Sequence, residues 1–200
     1  MGTFRAHFAV VRVAFTTLLA LAGALASCGG HSLEVAGRDD AGITFVEGSI
    51  AGVSLASGYA VAIPDNSNAT AGPTNEYTVL AIGIASKALA CETGGLPNST
   101  LIGISIKRQG TAPVGPGSYE INTDQTSSLN NNAALITTDS VCSETFPANC
   151  IGGTVTITEA SDASVSGTFT LAFDTGEAMH GTFNAVICPK IPASMRGVSC

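Results

Sequence analysis

Charge is scarce in this chain, and positive charge scarcer still. Only 12% of the 200 residues are charged, and eight are Lys or Arg against 15 Asp or Glu. With 45% hydrophobic residues and a mean hydropathy of +0.36, that poverty excludes a charged helical bundle and a disordered acidic tail. Arg5 and Arg12 lie in an N-terminal leader, so the remainder carries six basic residues against 15 acidic ones, a formal net charge of -9. Such a surface repels nucleic acid and anionic headgroups, since neutralising phosphates takes clustered Lys and Arg and the one basic pair, Lys107-Arg108, stands alone. Also missing are the G-x-S-x-G elbow, H-E-x-x-H, the phosphate-binding loop, G-x-G-x-x-G and S-x-x-K. No C-x-x-C occurs, which removes the usual zinc and thioredoxin-like arrangements. No catalytic residue, metal site or cofactor is nominated.

What is present begins with a leader. After Arg5, His7 and Arg12, Val13 to Ser27 runs fifteen residues without a charge, short of the ~20 a membrane-spanning helix needs. Residues 1–27 therefore read as a cleavable export signal. The run ends Leu25-Ala26-Ser27-Cys28, which resembles the lipobox of bacterial lipoproteins. That resemblance implies a diacylglycerol on the Cys28 thiol and commonly a third acyl chain on its amine. At ~0.8 kcal/mol per buried methylene, two or three chains hold a protein stably on a bilayer where one does not. Ala24-Leu25-Ala26 is also an A-x-A site, so an ordinary signal peptidase would instead release a soluble chain beginning at Ser27. Gly29 rather than Asp follows Cys28, which points to the outer membrane or cell surface.

Residues 28–42, rich in glycine and without periodicity, read as a flexible tether; its His31 has no second metal ligand at useful spacing. Residues 43–200 read as a single all-β domain, an antiparallel β-sandwich or up-and-down β-barrel of about eight to nine strands. Val53, Leu55, Tyr59, Val61 and Ile63 alternate with Ser and Ala until Pro64-Asp65-Asn66 ends the run. Tyr77 to Ala85 is apolar on both parities, the mark of a strand covered on both sides. Ile102, Ile104 and Ile106 share one face, Tyr119 and Ile121 follow a Gly-Pro-Gly break, and Ala133 to Thr137 forms a short run. Asn130-Asn131-Asn132 reads as a turn rather than a binding site, and Asp124 lacks the spaced acids of a calcium loop.

The C-terminal third is the most explicit. Gly167-Thr168-Phe169 and Gly181-Thr182-Phe183 repeat one tripeptide around Asp174-Thr175-Gly176. A three-residue loop at 174–176, closed by Gly in the left-handed conformation, sets Phe173 opposite Glu177. Counting back, Phe169 faces Gly181 and Gly167 faces Phe183, so each ring lies over a glycine of the neighbouring strand and fixes the register. His180 then points outward as an exposed strand residue, and Asp174 and Glu177 belong to the turn rather than to a catalytic pair.

Beyond Cys28 there are Cys91, Cys142, Cys150, Cys188 and Cys200. Export permits disulfides. If the chain runs simply up and down, the strands before Cys91 and before Cys188 run the same way, while Cys142 and Cys150 flank one loop. The expected pairs are Cys91 with Cys188 and Cys142 with Cys150, leaving Cys200 spare. The longer bridge would contribute up to ~4 kcal/mol by loop entropy.

Gly152 to Pro189, GGTVTITEASDASVSGTFTLAFDTGEAMHGTFNAVICP, resembles the C-terminal part of small, uncharacterised β-rich lipoproteins of bacteria, in its G-T-V-T-I-T, V-S-G-T-F and G-T-F-N-A-x-x-C segments. Gly117-Ser118-Tyr119 matches their earlier G-x-Y strand, and Cys91 and Cys142 fall where such chains carry cysteines; Cys150 and Cys200 are additional. The resemblance implies fold and location, not activity. Three functions are consistent with it. The first is a noncatalytic, lipid-anchored envelope protein, structural or protein-binding, whose partners are the membrane through Cys28 and an envelope protein, with no nucleic acid. The second is a lipocalin-like barrel around a small apolar ligand, against which stands the absence of tryptophan and so of the Gly-x-Trp strand. The third is an enzyme.

Overall fold

The computed structural model describes residues 43–55, 57–65, 77–87, 97–122 and 130–188. The leader, Cys28, His31, Cys91, Asp124 and Cys200 lie outside these residues. Among the described residues there is no helix, only strands. In chain order these are β1 (Ile43–Glu47), β2 (Ser49–Ile50), β3 (Val53–Ser54), β4 (Ser57–Asp65), β5 (Tyr77–Ala85), β6 (Thr100–Gln109), β7 (Gly117–Asn122), β8 (Asn132–Thr138), β9 (Glu144–Thr145), β10 (Cys150–Ala160), β11 (Ser164–Phe173) and β12 (Ala178–Ile187). Nine have five residues or more, and three are two-residue fragments.

One ten-stranded sheet holds all but β2 and β3, in the order β7-β10-β11-β12-β1-β4-β5-β6-β8-β9. Neighbours are antiparallel except where β12 runs past the end of β1 and pairs in parallel with β4, Val186 against Val61 and Ile187 against Ala62. The sheet curls until its flanks meet: Ile121 bridges to Asn131 and Ala134 to Asn149. These are isolated bridges, so the architecture is barrel-like without a continuous closing ladder. Nor is it a simple meander, since β1 is inserted between β12 and β4, and β7 joins β10 rather than β6.

The C-terminal hairpin adopts the expected register, with Gly167 opposite Phe183 and Phe169 opposite Gly181. The Phe173 and Gly176 amide bonds close the turn, and Gly176 takes a φ of +83°, which a glycine adopts without steric cost. A methyl at Gly181 would stand 2.9 Å from Phe169 Cζ and 2.2 Å from the carbonyl oxygen of Phe45. At Gly167 it would stand 2.8 Å from Phe183 Cζ and 2.2 Å from Thr156 O. The rings therefore occupy space that only a glycine leaves open, and the strands sit in close contact beneath them.

Phe169, Leu171, Phe183 and Ile104 fall in a single buried cluster that fills the inside of the curl with Ile82, Ile102, Leu135, Val155 and Met179. Ile50 and Leu55 reach this core from the β2–β3 hairpin, which folds over the end carrying the 174–176 turn and is held there by the Ala51 amide donating to Glu177 Oε2 at 2.7 Å. Val114 reaches it from the opposite end, where Thr78 Oγ1 donates to Ala112 O and Arg108 to Pro113 O. β5 is buried on both parities from Thr78 to Ala85, and outside the wall Ala85, Leu101, Ala134 and Ile136 form a second cluster.

The 53–63 alternation is the instructive departure. It breaks at residues 55–56 into two strands, and on β4 the small Ala60 and Ala62 face the core while Val61 and Ile63 join Cys188 in a separate cluster. The bulky isoleucines and phenylalanines of neighbouring strands already fill the interior, leaving room only for alanine. Alternation marks the strand; the volume contributed by other strands chooses its inward face.

Candidate functional site

The outward face of β10, β11 and β12 is a hydroxyl-bearing surface, because the same alternation that sends Val165, Phe169 and Leu171 inward turns Thr154, Thr168, Thr170 and Thr182 to solvent. Ser166 Oγ donates to Asn184 Oδ1 at 3.1 Å, and Thr158 Oγ1 to Ser166 O. At the border with β1, His180 Nε2 lies 2.8 Å from Glu47 Oε2, both side chains more than half exposed. They are register partners. His180 is thus an exposed strand residue as expected, but a carboxylate stands beside it that local sequence does not reveal, since 133 residues separate the two. A surface pair at these exposures is worth at most about 1 kcal/mol.

Beyond Glu47, β1 and β4 present Phe45, 51% exposed, and Tyr59, 44% exposed. Tyr59 is paired with Ile43 and Ser57 with Phe45, so the two aromatics are diagonal neighbours on adjacent strands, a separation that aromatic side chains span.

The turn carboxylates have structural tasks. Asp174 accepts from the Asn149 side chain at 2.6 Å and from its backbone amide at 3.1 Å, while Asp174 N donates back to Asn149 O. The side-chain amide of Asn149, then its backbone N–H, hold the Asp174 carboxyl below the usual carboxylate range. Glu177 is engaged with the Ala51 amide.

Asn131 is not a turn residue. Its Oδ1 accepts from Lys107 N at 2.8 Å, its Nδ2 donates to Glu120 O at 2.9 Å, and its carbonyl accepts from Asn122 N at 3.3 Å. The side-chain amide thereby stands in for a peptide group between β6 and β7, stitching the flanks of the sheet together, and Asn132 opens β8. Sequence reasoning missed this, because it depends on β6 and β7 approaching the same residue. Thr44 was missed too: it is fully buried, and its hydroxyl has no hydrogen-bond partner among the described residues.

One of the expected cysteine pairs needs correction. Cys150 carries a free thiol, so the Cys142–Cys150 bridge is not formed. Cys142 and Cys188 are each disulfide-bonded. The pairing of Cys91 with Cys188 falls outside the described residues, since Cys91 is not among them, but the strand directions assumed for it differ. β5 runs antiparallel to β4 while β12 runs parallel to it, so the strands preceding Cys91 and Cys188 point in opposite directions. Cys150 packs partly against the core, burial pushes its thiol pKa up, and its Sγ donates to Gly152 O at 3.4 Å. Cys142 stands apart in the turn organised by Asp139, whose Oδ1 accepts from the Val141 and Ser143 amides.

Glu144, half-buried, is raised above the usual carboxylate range by desolvation. Among the described residues no three His, Cys, Asp or Glu side chains are grouped closely enough to hold a metal ion. In comparison with known proteins, no family model matches the chain, and neither a curated protein nor a solved structure matches it.

Proposed function

We propose that this chain is a lipid-anchored lipoprotein of the bacterial envelope, held in the outer membrane or at the cell surface through acylated Cys28, and that its β domain serves as a noncatalytic structural or protein-binding module. The observation that carries the noncatalytic reading is the filled interior. The residues that would line a ligand cavity, Phe169, Leu171, Phe183 and Ile104, pack into one core, with Ile50, Leu55 and Val114 entering from the two ends. This favours the module over a lipocalin-like barrel, which needs an open lumen lined by apolar side chains. The carboxylates of the turn are committed to backbone and amide partners, which argues in the same direction against acid–base chemistry. What remains for recognition is the outer wall, with its threonines, the Glu47–His180 pair and the two exposed aromatics.

Intact-mass analysis of the chain extracted from its native membrane tests the anchor: a mature form beginning at diacylglyceryl-Cys28 is expected, and an unmodified Ser27 start overturns it. Native mass spectrometry tests the module. The domain is expected to carry no stoichiometric small molecule, and a co-purifying apolar ligand at one per chain overturns the solid-core reading in favour of the ligand-binding barrel.

A further inference from the structure

Among the described residues four large hydrophobic side chains are exposed, and two of them, Phe45 and Tyr59, sit together on β1 and β4. The other two, Val141 and Ile151, belong to the β8–β9 turn and to the start of β10. We propose that Phe45 and Tyr59 are the face on which the domain rests against the bilayer, their rings lodged among uncharged lipid headgroups. This rests on the reading of Cys28 as the lipid-bearing residue.

The position of the patch along the chain is the first argument. β1 opens at Ile43, so Phe45 lies two residues beyond the point where the tether enters the sheet. Fourteen residues lie between Cys28 and Ile43. A glycine-rich chain of that length has a root-mean-square span of about 20 Å, less than the roughly 40 Å breadth of a domain of this size. The wall nearest the entry point is therefore repeatedly presented to the surface holding the acyl chains. Tethering at such a length supplies an effective concentration of order millimolar, so a surface site too weak to recruit a free protein is sufficient to orient an anchored one.

The second argument is the chemistry around the rings. Aromatic side chains favour the boundary between headgroups and acyl chains, and tyrosine does so with its hydroxyl still hydrated. The cross-strand neighbours of the pair carry no charge: Thr182 and Ser57 flank Phe45, and Ala85 pairs with Tyr59. The one acidic residue of β1, Glu47, faces His180 rather than standing alone. A chain whose formal net charge beyond the leader is -9 gains nothing from anionic lipid, which commits the occupant to neutral, zwitterionic headgroups.

The chain contains no tryptophan, so one introduced indole reports without background. The full-length acylated protein carrying Phe45→Trp is reconstituted into phosphatidylcholine vesicles with and without bromine on the acyl chains; Tyr59→Trp provides a second reporter should the first variant fold poorly. Thr154→Trp, exposed on β10 and three strands away, is the control. The docked face predicts a blue shift and at least a twofold loss of emission in brominated vesicles at positions 45 and 59, with little change at 154. Equal quenching at all three positions, or none at 45 and 59 while the protein floats with the vesicles, overturns the proposal. An emission shift that follows protein concentration but ignores bromine assigns the patch to a second copy and overturns it as well. Failure of the anchor itself is seen separately, as an unacylated Cys28 by mass and a chain that does not float, and the docking falls with it.

Discussion

Replacing Gly181 by alanine adds one methyl group in the middle of a strand, and the structure fixes what that group meets. Its carbon would lie 2.2 Å from Phe45 O and 2.9 Å from Phe169 Cζ. A carbon and a carbonyl oxygen need a little over 3 Å, so β1 must move off β12 by about 1 Å, or the hairpin must twist. Overpacking of this kind costs ~1–3 kcal/mol, and each ladder hydrogen bond weakened between β1 and β12 adds up to ~1 kcal/mol. A loss of about 3 kcal/mol is expected. Gly103 supplies the contrast: it too lies within a strand, but a methyl there would meet only Ile136 Cδ1, at 3.6 Å. Gly103→Ala should be neutral or stabilise by ~0.5–1 kcal/mol, through the lower entropy of the unfolded chain. Urea unfolding followed by far-ultraviolet circular dichroism reads both. Adding Phe169→Ala to Gly181→Ala should not restore stability, because the backbone oxygen remains in place. Gly181→Ala within ~0.5 kcal/mol of the parent, or Gly103→Ala equally damaging, would refute the close-contact account of the hairpin.

Three further outcomes follow from single sites. Thr44→Val replaces a fully buried, unpartnered hydroxyl by a methyl of the same shape, so the urea midpoint should rise by the equivalent of ~1–2 kcal/mol; a fall would mean that the hydroxyl has a partner. Asp174 is held below its ordinary pKa by Asn149, so its contribution is complete above the unfolded value near 4 and vanishes as pH falls through the folded one. Asp174→Asn should therefore be less stable than the parent at pH 7, with the gap closing as the pH falls below the ordinary carboxylate range; a gap of constant size would show that the carboxylate charge is irrelevant. The Cys150 thiol, half-buried with its pKa raised, should be alkylated by iodoacetamide at pH 8 at least tenfold more slowly in the folded protein than in urea, as peptide mapping would show; equal rates would contradict its burial.

The local grammar of the sheet was legible. The repeated Gly-Thr-Phe about Asp-Thr-Gly gave a register that Phe169–Gly181 and Gly167–Phe183 reproduce, because turn geometry fixes pairing over the few residues on either side. The two-sided apolarity of Tyr77–Ala85 likewise marked a strand covered on both faces. What sequence did not reveal was every relation set by strands distant along the chain. Nothing near Phe45 announces that its neighbour is Thr182, and without that pairing the direction of β12 relative to β5, and so the reasoning about Cys91 and Cys188, started from the wrong order. The seam-closing role of Asn131 and the pairing of Glu47 with His180 were hidden for the same reason. The candidate surface was thus visible as a row of outward threonines, while the aromatic pair at its border depended on β1 being inserted beside β4.

That insertion bears on how the molecule is made. β1 is the first strand of the domain, and it is wedged between β4 and β12, the last. A chain emerging N-terminus first, from a ribosome or through a translocation pore, brings out β1 and its neighbour β4 well over a hundred residues before β12, the strand that flanks β1 on its other side. Until then the strands of β4 to β8 have one another but not the hairpin whose phenylalanines fill the centre, and their isoleucine-rich faces stay wet. Long-range closure of this kind is slow and leaves sticky intermediates, so the half-finished sheet is the stage at which one copy is most exposed to meeting another.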